Sequence, residues 1–259
     1  MMDKELKAEK MPVVSVVMPA YNMERFIEAA VRSVMNQSFE SWELLVIDDC
    51  SKDTTCTIVE KLALEDSRIR LIRNEENIGV AKTRDRGIGL CRGGYIAFLD
   101  SDDIWLPEKL SRQLDRIRQT GADFVYTSYS LIGADGKKVR ADYLVPEQVN
   151  YQQQLKENHI GCSTVLIRAE LAGKYQFNTG FYHEDYLLWM RLLQDGHRAA
   201  GCTEILTQWR YIDNSRSFNK YRAARNRWKI YREYLKLPLL KSIWLFGNYA
   251  FGGMRKYLK

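Results

Sequence analysis

The sequence predicts an α/β fold in which a mostly parallel sheet is covered by helices. Over the first hundred residues, short apolar and β-branched runs alternate four times with helical segments. Such alternation is typical of parallel strands joined by right-handed crossovers. Polar or acidic residues follow the first, second and fourth of these runs. With 259 residues, 46% of them hydrophobic, the chain is long enough to bury one α/β core.

Each predicted strand is a short apolar run, and each predicted helix has apolar residues at helical spacing. The predicted strands cover residues 13–18, 44–47, 69–72, 95–99, 124–131, 161–167 and 203–209. The predicted helices cover residues 24–37, 54–65, 80–91, 107–120 and 186–194. Asp53 or Thr54 is expected to cap the second helix, and Pro107 to open the fourth. Residues 134–137, Ala-Asp-Gly-Lys, predict a hairpin turn.

Three carboxylates stand within four positions directly after the predicted strand 95–99, at Asp100, Asp102 and Asp103. A buried strand does not carry unpaired carboxylates, so these acids should lie beyond its carboxyl end. Open α/β sheets bind ligands at that edge. Hard oxygen donors suit Mg²⁺ or Mn²⁺, which keep phosphate oxygens as further ligands. The alternative is a turn in which one Asp accepts a backbone N–H, but the grouping favours a metal–phosphate site.

The net charge of +6 is unevenly distributed along the chain. Residues 220–236 carry seven Lys or Arg and one acid, whereas acids gather at positions 48–49, 100–103 and 184–185. The basic excess therefore indicates an anionic surface as a partner of the tail. No nucleic-acid-binding motif accompanies it, so no nucleic acid is expected. The five cysteines include no CxxC pair, which favours reduced thiols in the cytoplasm over disulfides or a zinc site.

The two ends of the chain carry no sign of a membrane-crossing segment. The first ten residues are charged and predict no signal peptide, and the apolar region 237–251 contains Lys241 and Gly247. One face of a basic helix is predicted from residues at 3–4 spacing: Tyr221, Ala224, Trp228, Tyr231 and Leu235. A basic, aromatic tail suits the inner face of a cell membrane. The alternatives are packing on the domain or on a second copy in a homodimer.

Several motifs resemble, in order and spacing, those of the family 2 glycosyltransferases. They are Val-Ser-Val-Val-Met-Pro-Ala-Tyr-Asn (14–22), Val-Ile-Asp-Asp (46–49), Asn-Ile-Gly-Val-Ala-Lys-Thr-Arg (77–84), Asp-Ser-Asp-Asp (100–103) and Glu-Asp (184–185). The resemblance implies a GT-A fold and an inverting transferase that uses a nucleotide sugar, most often UDP-linked, with Mn²⁺ or Mg²⁺. The predicted division is an N-terminal extension (1–11), a GT-A domain (12–218) with nucleotide-sugar (12–106) and acceptor (107–218) halves, and a basic, aromatic, amphipathic helical tail (219–259).

The resemblance also implies roles for single residues. The nucleotide-binding residues would be Pro19, Ala20, Tyr21, Asn22, Asp49, Arg84, Asp100 and Ser101. Among them, Tyr21 would lie against uracil. Asp102 would be the metal ligand of the DxD motif, and Asp185 the general base beside Glu184.

The diphosphate and acceptor side is assigned by the same resemblance to Arg210, Ser215 and Ser217. Ile212 stands where the family usually has histidine, which puts in question a metal or phosphate contact from that position.

The implied reaction builds a surface polysaccharide of the O-antigen type. A cation on Asp102 would stabilise the leaving diphosphate, and Asp185 would take the proton of an acceptor hydroxyl on a glycan or polyprenyl-linked glycan. Four alternatives stay open. The acids at 184–185 could simply favour a helix N-terminus, and Arg84 could be a solvated helix residue. The chain could be inert in a nucleotide-binding role, or a sugar-phosphate nucleotidylyltransferase, although it lacks the Gly-rich, Arg-containing loop which that enzyme needs.

Overall fold

A mixed β-sheet with helices on its faces forms the centre of the molecule. The computed structural model describes residues 11–211 and 220–255. The strands are Val14–Ala20 (β1), Trp42–Asp48 (β2), Ile69–Arg73 (β3), Tyr95–Phe98 (β4), Ile104–Trp105 (β5), Phe124–Ile132 (β6), Gln148–Val149 (β7), Leu166–Arg168 (β8) and Ala199–Arg210 (β9). Within the described residues they lie in the order β3-β2-β1-β4-β8-β6-β9-β5, and β7 pairs with β9.

Helices flank this sheet. They are Ile27–Met35 (α1), Thr55–Glu65 (α2), Val80–Gly89 (α3), Lys109–Thr120 (α4), Tyr151–Lys156 (α5), Ala169–Lys174 (α6), Glu184–Gln194 (α7), Lys220–Lys229 (α8) and Leu239–Arg255 (α9). A 3-10 helix covers Cys162–Thr164, and a π-helix covers Ile230–Tyr234. Among the described residues, none of the helices combines the length and apolar character that a membrane span requires.

The parallel half of the sheet confirms the prediction for the first hundred residues. Strands β3, β2, β1 and β4 are parallel neighbours, and all residues of β1 and β2 are buried. The predicted end of β1 at Met18 is wrong, because the strand continues through Pro19 and Ala20. The backbone N–H and C=O groups of Val17 and Pro19 lie on the side of β1 that faces β4. The pairing of β1 with β4 ends at Val17 and Phe98, before Pro19. The missing N–H of Pro19 therefore leaves no ladder hydrogen bond unmade.

The first helix begins at Ile27 instead of the predicted residue 24. The loop after β2 holds Glu24: its N–H donates to Asp53 Oδ2 (3.0 Å), and its carboxylate accepts from the hydroxyl of Thr54 (2.7 Å). Thr54 stands at the N-cap position of α2 but makes no side-chain cap hydrogen bond, so the predicted cap is not formed in the usual way. Asp53 instead accepts the N–H of Thr55, the first residue of the helix. The loops that follow β1 and β2 are thus tied together at the carboxyl edge of the strands.

The second half of the sheet differs most from the prediction. The predicted strand 161–167 is wrong for most of its length: residues 162–164 form a 3-10 helix, and β8, antiparallel to β4, begins at Leu166. The Thr164 hydroxyl donates to the carbonyl of Gly161 (2.7 Å), a local hydrogen bond that competes with strand pairing. The predicted last strand begins at Ala199 instead of 203. The four elements that were not predicted are all short: β5, β7, α5 and α6.

The predicted hairpin turn is confirmed. The N–H of Gly133 donates to the carbonyl of Lys137 (2.8 Å), and the chain on either side forms antiparallel bridges, one of them between Ile132 and Lys138. Gly136 has a φ of +80°, a value that glycine adopts without strain. The turn lies beside the end of β9, where it contributes carbonyl groups to the candidate site.

The carboxyl-terminal helices pack on the domain through a cluster of apolar side chains. Its buried members are Leu155, Tyr186, Leu187, Met190, Ile230, Tyr231 and Leu245. Of the residues predicted to share one helix face, Tyr231 is buried in this cluster, and Trp228 and Leu235 are half-buried. Asn226 and Arg227 are buried instead, because each finds a partner in the segment that leads into α7 or in α7 itself. The division into extension, two halves and tail stays a prediction.

Two glycines of α3 give a matched test of how closely this helix packs on the sheet. A Cβ on Gly87 would lie 2.6 Å from Val17 Cγ1 and 3.1 Å from Ile47 Cγ1, whereas a Cβ on Gly89 would meet nothing within 4 Å. We expect Gly87→Ala to lower the free energy of unfolding by about 1–2 kcal/mol, since overpacking outweighs the gain in helix propensity. Gly89→Ala should be neutral or slightly stabilising. Urea unfolding checks both variants, and equal effects would contradict the close approach.

Candidate active site

A buried guanidinium joins two distant acids at the carboxyl edge of the parallel strands. Arg84 on α3 is 4% exposed; its Nη2 donates to Asp100 Oδ1 (2.6 Å) and its Nη1 to Glu184 Oε1 (2.8 Å). The ring of Phe177 lies beneath it, with 5.3 Å between Cζ and the ring centroid. Burial lowers the pKa of Arg84, but the surrounding groups, both carboxylates among them, raise it well above its ordinary value. Arg84 is therefore a charged link between β4 and α7, and not a solvated helix residue.

The three clustered acids have different surroundings, and Asp103 is the most enclosed. Its Oδ2 accepts from the Ser163 hydroxyl (2.5 Å) and its Oδ1 from the N–H of Arg210 (2.8 Å). Burial and the two neighbouring acids raise its pKa well above the usual range. The Ser163 oxygen also accepts the N–H of Asp100 (3.1 Å). Asp103 and Ser163 thus fix the turn that carries the acids against the 3-10 helix and the end of β9.

Among the described residues, no other side chain donates a hydrogen bond to the Asp102 carboxylate, whereas Asp100 is bound by Arg84 and Asp103 by Ser163. Burial, and then the charge of Asp100, raise its pKa to about 6, although Arg210 and Arg84 act in the opposite direction. The Arg210 guanidinium does not bind this carboxylate: Nε donates to the backbone carbonyl of Asp102 (2.7 Å) and Nη1 to that of Gly133 (2.8 Å). The Asp102 carboxylate is left with a negative charge that a cation would balance.

The surroundings of Asp102 fit a divalent cation that has few protein ligands. In the described part of the chain, His, Cys, Asp and Glu side chains form no group of three that could hold a metal ion. Mg²⁺ and related ions need only one or two carboxylates where substrate phosphates and water complete the shell. Asp100, whose charge raises the pKa of Asp102, is engaged by Arg84. Asp102 is thus the residue suited to be the single carboxylate ligand.

Asp185 lies in the first turn of α7, next to the ion pair of Arg84. It is partly buried, and burial raises its pKa, as does Asp100, whereas Arg84 and the N–H of Tyr186 lower it. A raised pKa makes a carboxylate a better acceptor of a proton from a hydroxyl group. Glu184 is held by Arg84, so its geometry fits a positioning role better than proton transfer. Its predicted place in catalysis, and that of Asp185, stay predictions.

The predicted nucleotide side is formed by the loops after β1 and β2. Tyr21 is 44% exposed at the end of β1. Asn22 receives the N–H of Lys52 on its Oδ1 (2.8 Å) and donates its own N–H to Ser51 (2.9 Å). The Asp49 carboxylate accepts the N–H groups of Ile78 and Gly79, both at 2.9 Å, so it anchors the start of α3. A ring exposed between two fixed loops is available for stacking on a base.

The remaining predicted site residues are either buried or outside the described residues. Pro19, Ala20 and Ser101 are buried. Their main chains line this edge of the sheet, and their predicted contacts with a nucleotide stay predictions. Ser215, Ser217 and Ile212 lie outside the described residues.

Sequence reasoning placed residues 161–164 on the acceptor side as a strand and gave no role to Phe177. It assigned neither the contact of Ser163 with Asp103 nor the buried thiol of Cys162 near Arg84 and the acids. A hydroxyl in an apolar run was the one available signal for Ser163.

Comparisons with known proteins agree on the family. The sequence model of glycosyl transferase family 2 matches residues 15–175 of this chain. A Bacillus subtilis protein named putative teichuronic acid biosynthesis glycosyltransferase TuaG is 39% identical over 247 residues, which cover 95% of this chain and 98% of the relative. An Escherichia coli protein named UDP-Glc:alpha-D-GlcNAc-diphosphoundecaprenol beta-1,3-glucosyltransferase WfgD is 36% identical over 247 residues, 95% of each chain.

Solved structures share the fold at lower sequence identity. Residues 1–349 of Staphylococcus aureus TarS, in complex with UDP-GlcNAc, match with a TM-score of 0.69 and 23% identity, covering 85% of this chain and 64% of that one. The mannosyltransferase PcManGT of Pyrobaculum calidifontis, in complex with GDP-Man and Mn²⁺, matches with a TM-score of 0.70 and 15% identity, covering 93% and 73%.

The buried ion pairs of Arg84 can be tested by stability. We expect Arg84→Gln to lower the free energy of unfolding by about 3–5 kcal/mol, because it leaves two carboxylates without their counter-charge. The control is Arg112→Gln on α4, which breaks a half-exposed pair with Glu108 and should cost at most about 1 kcal/mol. Urea unfolding at neutral pH measures both. Similar losses in the two variants would contradict the central place of Arg84.

The raised pKa of Asp102 predicts a pH dependence of stability in metal-free buffer. Because the folded-state pKa of about 6 lies above the ordinary 3.8, the contribution of Asp102 to the free energy of unfolding should fall as the pH rises from 4 through 6. Asp102→Asn removes this titration, so at pH 7 it should be more stable than wild type by up to about 3 kcal/mol.

The measurement for Asp102→Asn is urea unfolding in EDTA at several pH values, with the exposed Asp115→Asn as a control that follows wild type. If the free energy of unfolding depended on pH in the same way for wild type and Asp102→Asn, the raised pKa of Asp102 would be contradicted.

Proposed function

The chain is a member of glycosyl transferase family 2 and has the GT-A fold, and we propose that it is an inverting, metal-dependent enzyme. In this proposal it moves a sugar from a UDP-sugar to a hydroxyl group of a polyprenyl-linked glycan during the synthesis of a surface polysaccharide. The reaction would take place at the inner face of the cell membrane.

The observation that carries the proposal is that two unlike carboxylates, Asp102 and Asp185, each lie beside a partner of Arg84 at one edge of the sheet. The Asp102 carboxylate is bound by no cationic side chain of the described residues and has a pKa raised to about 6, and Asp185 has a raised pKa beside the Arg84 ion pair. The first suits a cation with its phosphate ligands, and the second suits proton abstraction. A transferase needs both functions on opposite sides of the reacting sugar.

The chemistry follows from this arrangement. When bound, Mn²⁺ or Mg²⁺ would stabilise the charge that develops on the departing diphosphate. Asp102 would hold the ion. Asp185 would accept the proton of the acceptor hydroxyl as that oxygen attacks the anomeric carbon, and a single displacement would invert the configuration. Arg84 would keep Asp100 and the α7 turn in place, and Tyr21 would stack on the base.

The names of the relatives support the choice of substrates. WfgD is named for transfer of glucose from a UDP-sugar to a sugar on diphosphoundecaprenol, and TuaG for teichuronic acid biosynthesis. Both cover nearly the whole of this chain, so the acceptor half is included in the similarity. We therefore propose a UDP-sugar donor and a lipid-diphosphate acceptor for this protein as well.

Two substitutions separate the predicted roles of the acids. We expect UDP release from a panel of UDP-sugars with Mn²⁺ and acceptor to require both acids and to stop in EDTA. Asp185→Asn should keep UDP binding by calorimetry but lower turnover by about 10²–10⁴-fold, the contribution of general base catalysis. Asp102→Ala should weaken metal-dependent UDP binding. Asp115→Asn on α4, an exposed acid, is the control.

The outcomes distinguish the alternatives. Full turnover in Asp185→Asn, or in EDTA, would contradict the mechanism. A response to dTDP- or GDP-sugars alone would remove the uracil assignment. Binding of UDP without turnover of any donor would favour an inert module, and formation of a nucleotide sugar from UTP and a sugar phosphate would favour a nucleotidylyltransferase.

A further inference from the structure

Helix α9 carries apolar side chains on two faces, and the domain covers one of them. On the inner face, Leu245 and Ser242 are buried, and Leu245 belongs to the apolar cluster formed with α5, α7 and the π-helix Ile230–Tyr234. On the opposite face, Leu240 is 82%, Ile243 53% and Trp244 54% exposed, and Leu239 lies beside them. We call these four residues the outer face of α9. A helix that is apolar on two faces is normally covered on both.

The outer face differs from ordinary surface apolar residues by its continuity. Single exposed leucines are common in soluble proteins, and this chain has them elsewhere, for example Leu64 on α2. Residues 240, 243 and 244 follow the spacing of one helix face, so their side chains adjoin each other. A contiguous apolar patch rimmed by polar residues is typical of an interaction site.

The charge around the outer face indicates what covers it. Lys236 and Lys241 are exposed at the start of α9, and Lys156 Nζ lies 5.2 Å from the ring centroid of Trp244. Residues 220–259 contain eleven Lys or Arg and one acid, Glu233. A second copy of the chain would bring the same positive charge to the contact and be repelled. An anionic surface would be attracted.

We propose that the outer face of α9 docks on the surface of an anionic phospholipid bilayer. Leu240, Ile243 and Trp244 would enter the boundary between headgroups and acyl chains, with the helix lying parallel to the membrane. The flanking lysines would reach the lipid phosphates, since their long stems pack on apolar surface while the ammonium groups stay in the headgroup region. This mode of binding needs no membrane-spanning helix.

The position of α9 relates this surface to the acceptor side of the site. Leu245 on its inner face packs in the same cluster as Tyr186, and Tyr186 follows Asp185 in the chain. Docking would therefore bring the α7 turn to the bilayer, where a lipid-linked acceptor presents its sugar. This link to catalysis rests on the proposed function, whereas the docking itself can be measured without substrate.

The experiment is flotation of the full chain with liposomes. We expect wild type to float with vesicles that contain phosphatidylglycerol and not with pure phosphatidylcholine. The double variant Leu240→Ser, Trp244→Ser should lose about tenfold or more of this binding, because two large side chains no longer enter the interface. Leu64→Ser, which removes an equally exposed leucine from α2, should bind like wild type.

A second variant, Lys236→Glu with Lys241→Glu, tests the charge separately and should also float less, with Lys61→Glu on α2 as its control. Equal flotation of wild type and both outer-face variants would overturn the proposal. So would a wild-type dimer, seen by light scattering without lipid, that becomes a monomer in Leu240→Ser, Trp244→Ser, since a second copy would then be the occupant. UDP release with a short-chain, water-soluble acceptor distinguishes a failure of the docking proposal from a failure of the proposed function. It should be unchanged in these variants.

Discussion

The site depends on one buried cation. Arg84 holds Asp100, which follows β4, and Glu184, which opens α7, although the two acids are 84 residues apart in the chain. Burying a guanidinium is costly unless carboxylates pair with it, and burying the carboxylates is costly without the guanidinium. The arrangement is therefore stable only as a whole. It brings the start of α7, and Asp185 with it, to the sheet edge where Asp102 lies.

The acid cluster could be predicted as a site, but the division of its roles could not. Asp-Ser-Asp-Asp after a buried strand indicated a ligand site from residue type and position alone. Which acid is compensated depends on contacts with distant segments: Arg84 for Asp100, and Ser163 with the backbone of Arg210 for Asp103. Arg210 was assigned to the diphosphate side, yet two of its guanidinium nitrogens bind backbone carbonyls, a contact set by the hairpin turn beside β9.

The fold was most predictable where local pattern and tertiary context agree. Strands β1, β2 and β4 are mainly apolar runs, as strands buried on both faces require. The edge strand β3 is only partly buried and contains Arg70 and Arg73. The predicted element bounds were wrong where a single side-chain contact determines the local backbone structure. Glu24 is held by Asp53 and Thr54 and so stays outside α1. Residues 162–164 form a 3-10 helix because their hydroxyls bond locally and to Asp103. Two-residue strands such as β5 have no periodicity to detect.

The carboxyl-terminal helices also stabilise the segment that carries the candidate site residues of α7. Arg227 on α8 lies over the ring of Tyr186, with 3.7 Å between Cζ and the ring centroid, and Asn226 accepts the N–H of Tyr182 (3.0 Å). Among the described residues no carboxylate pairs with Arg227, so aromatic faces supply its compensation. Removing α8 and α9 would uncover Tyr186 and loosen the turn that carries Asp185. If Asp185 and α9 have the proposed roles, a truncation would impair turnover and membrane docking together, whereas substitutions on the outer face of α9 leave the inner contacts intact.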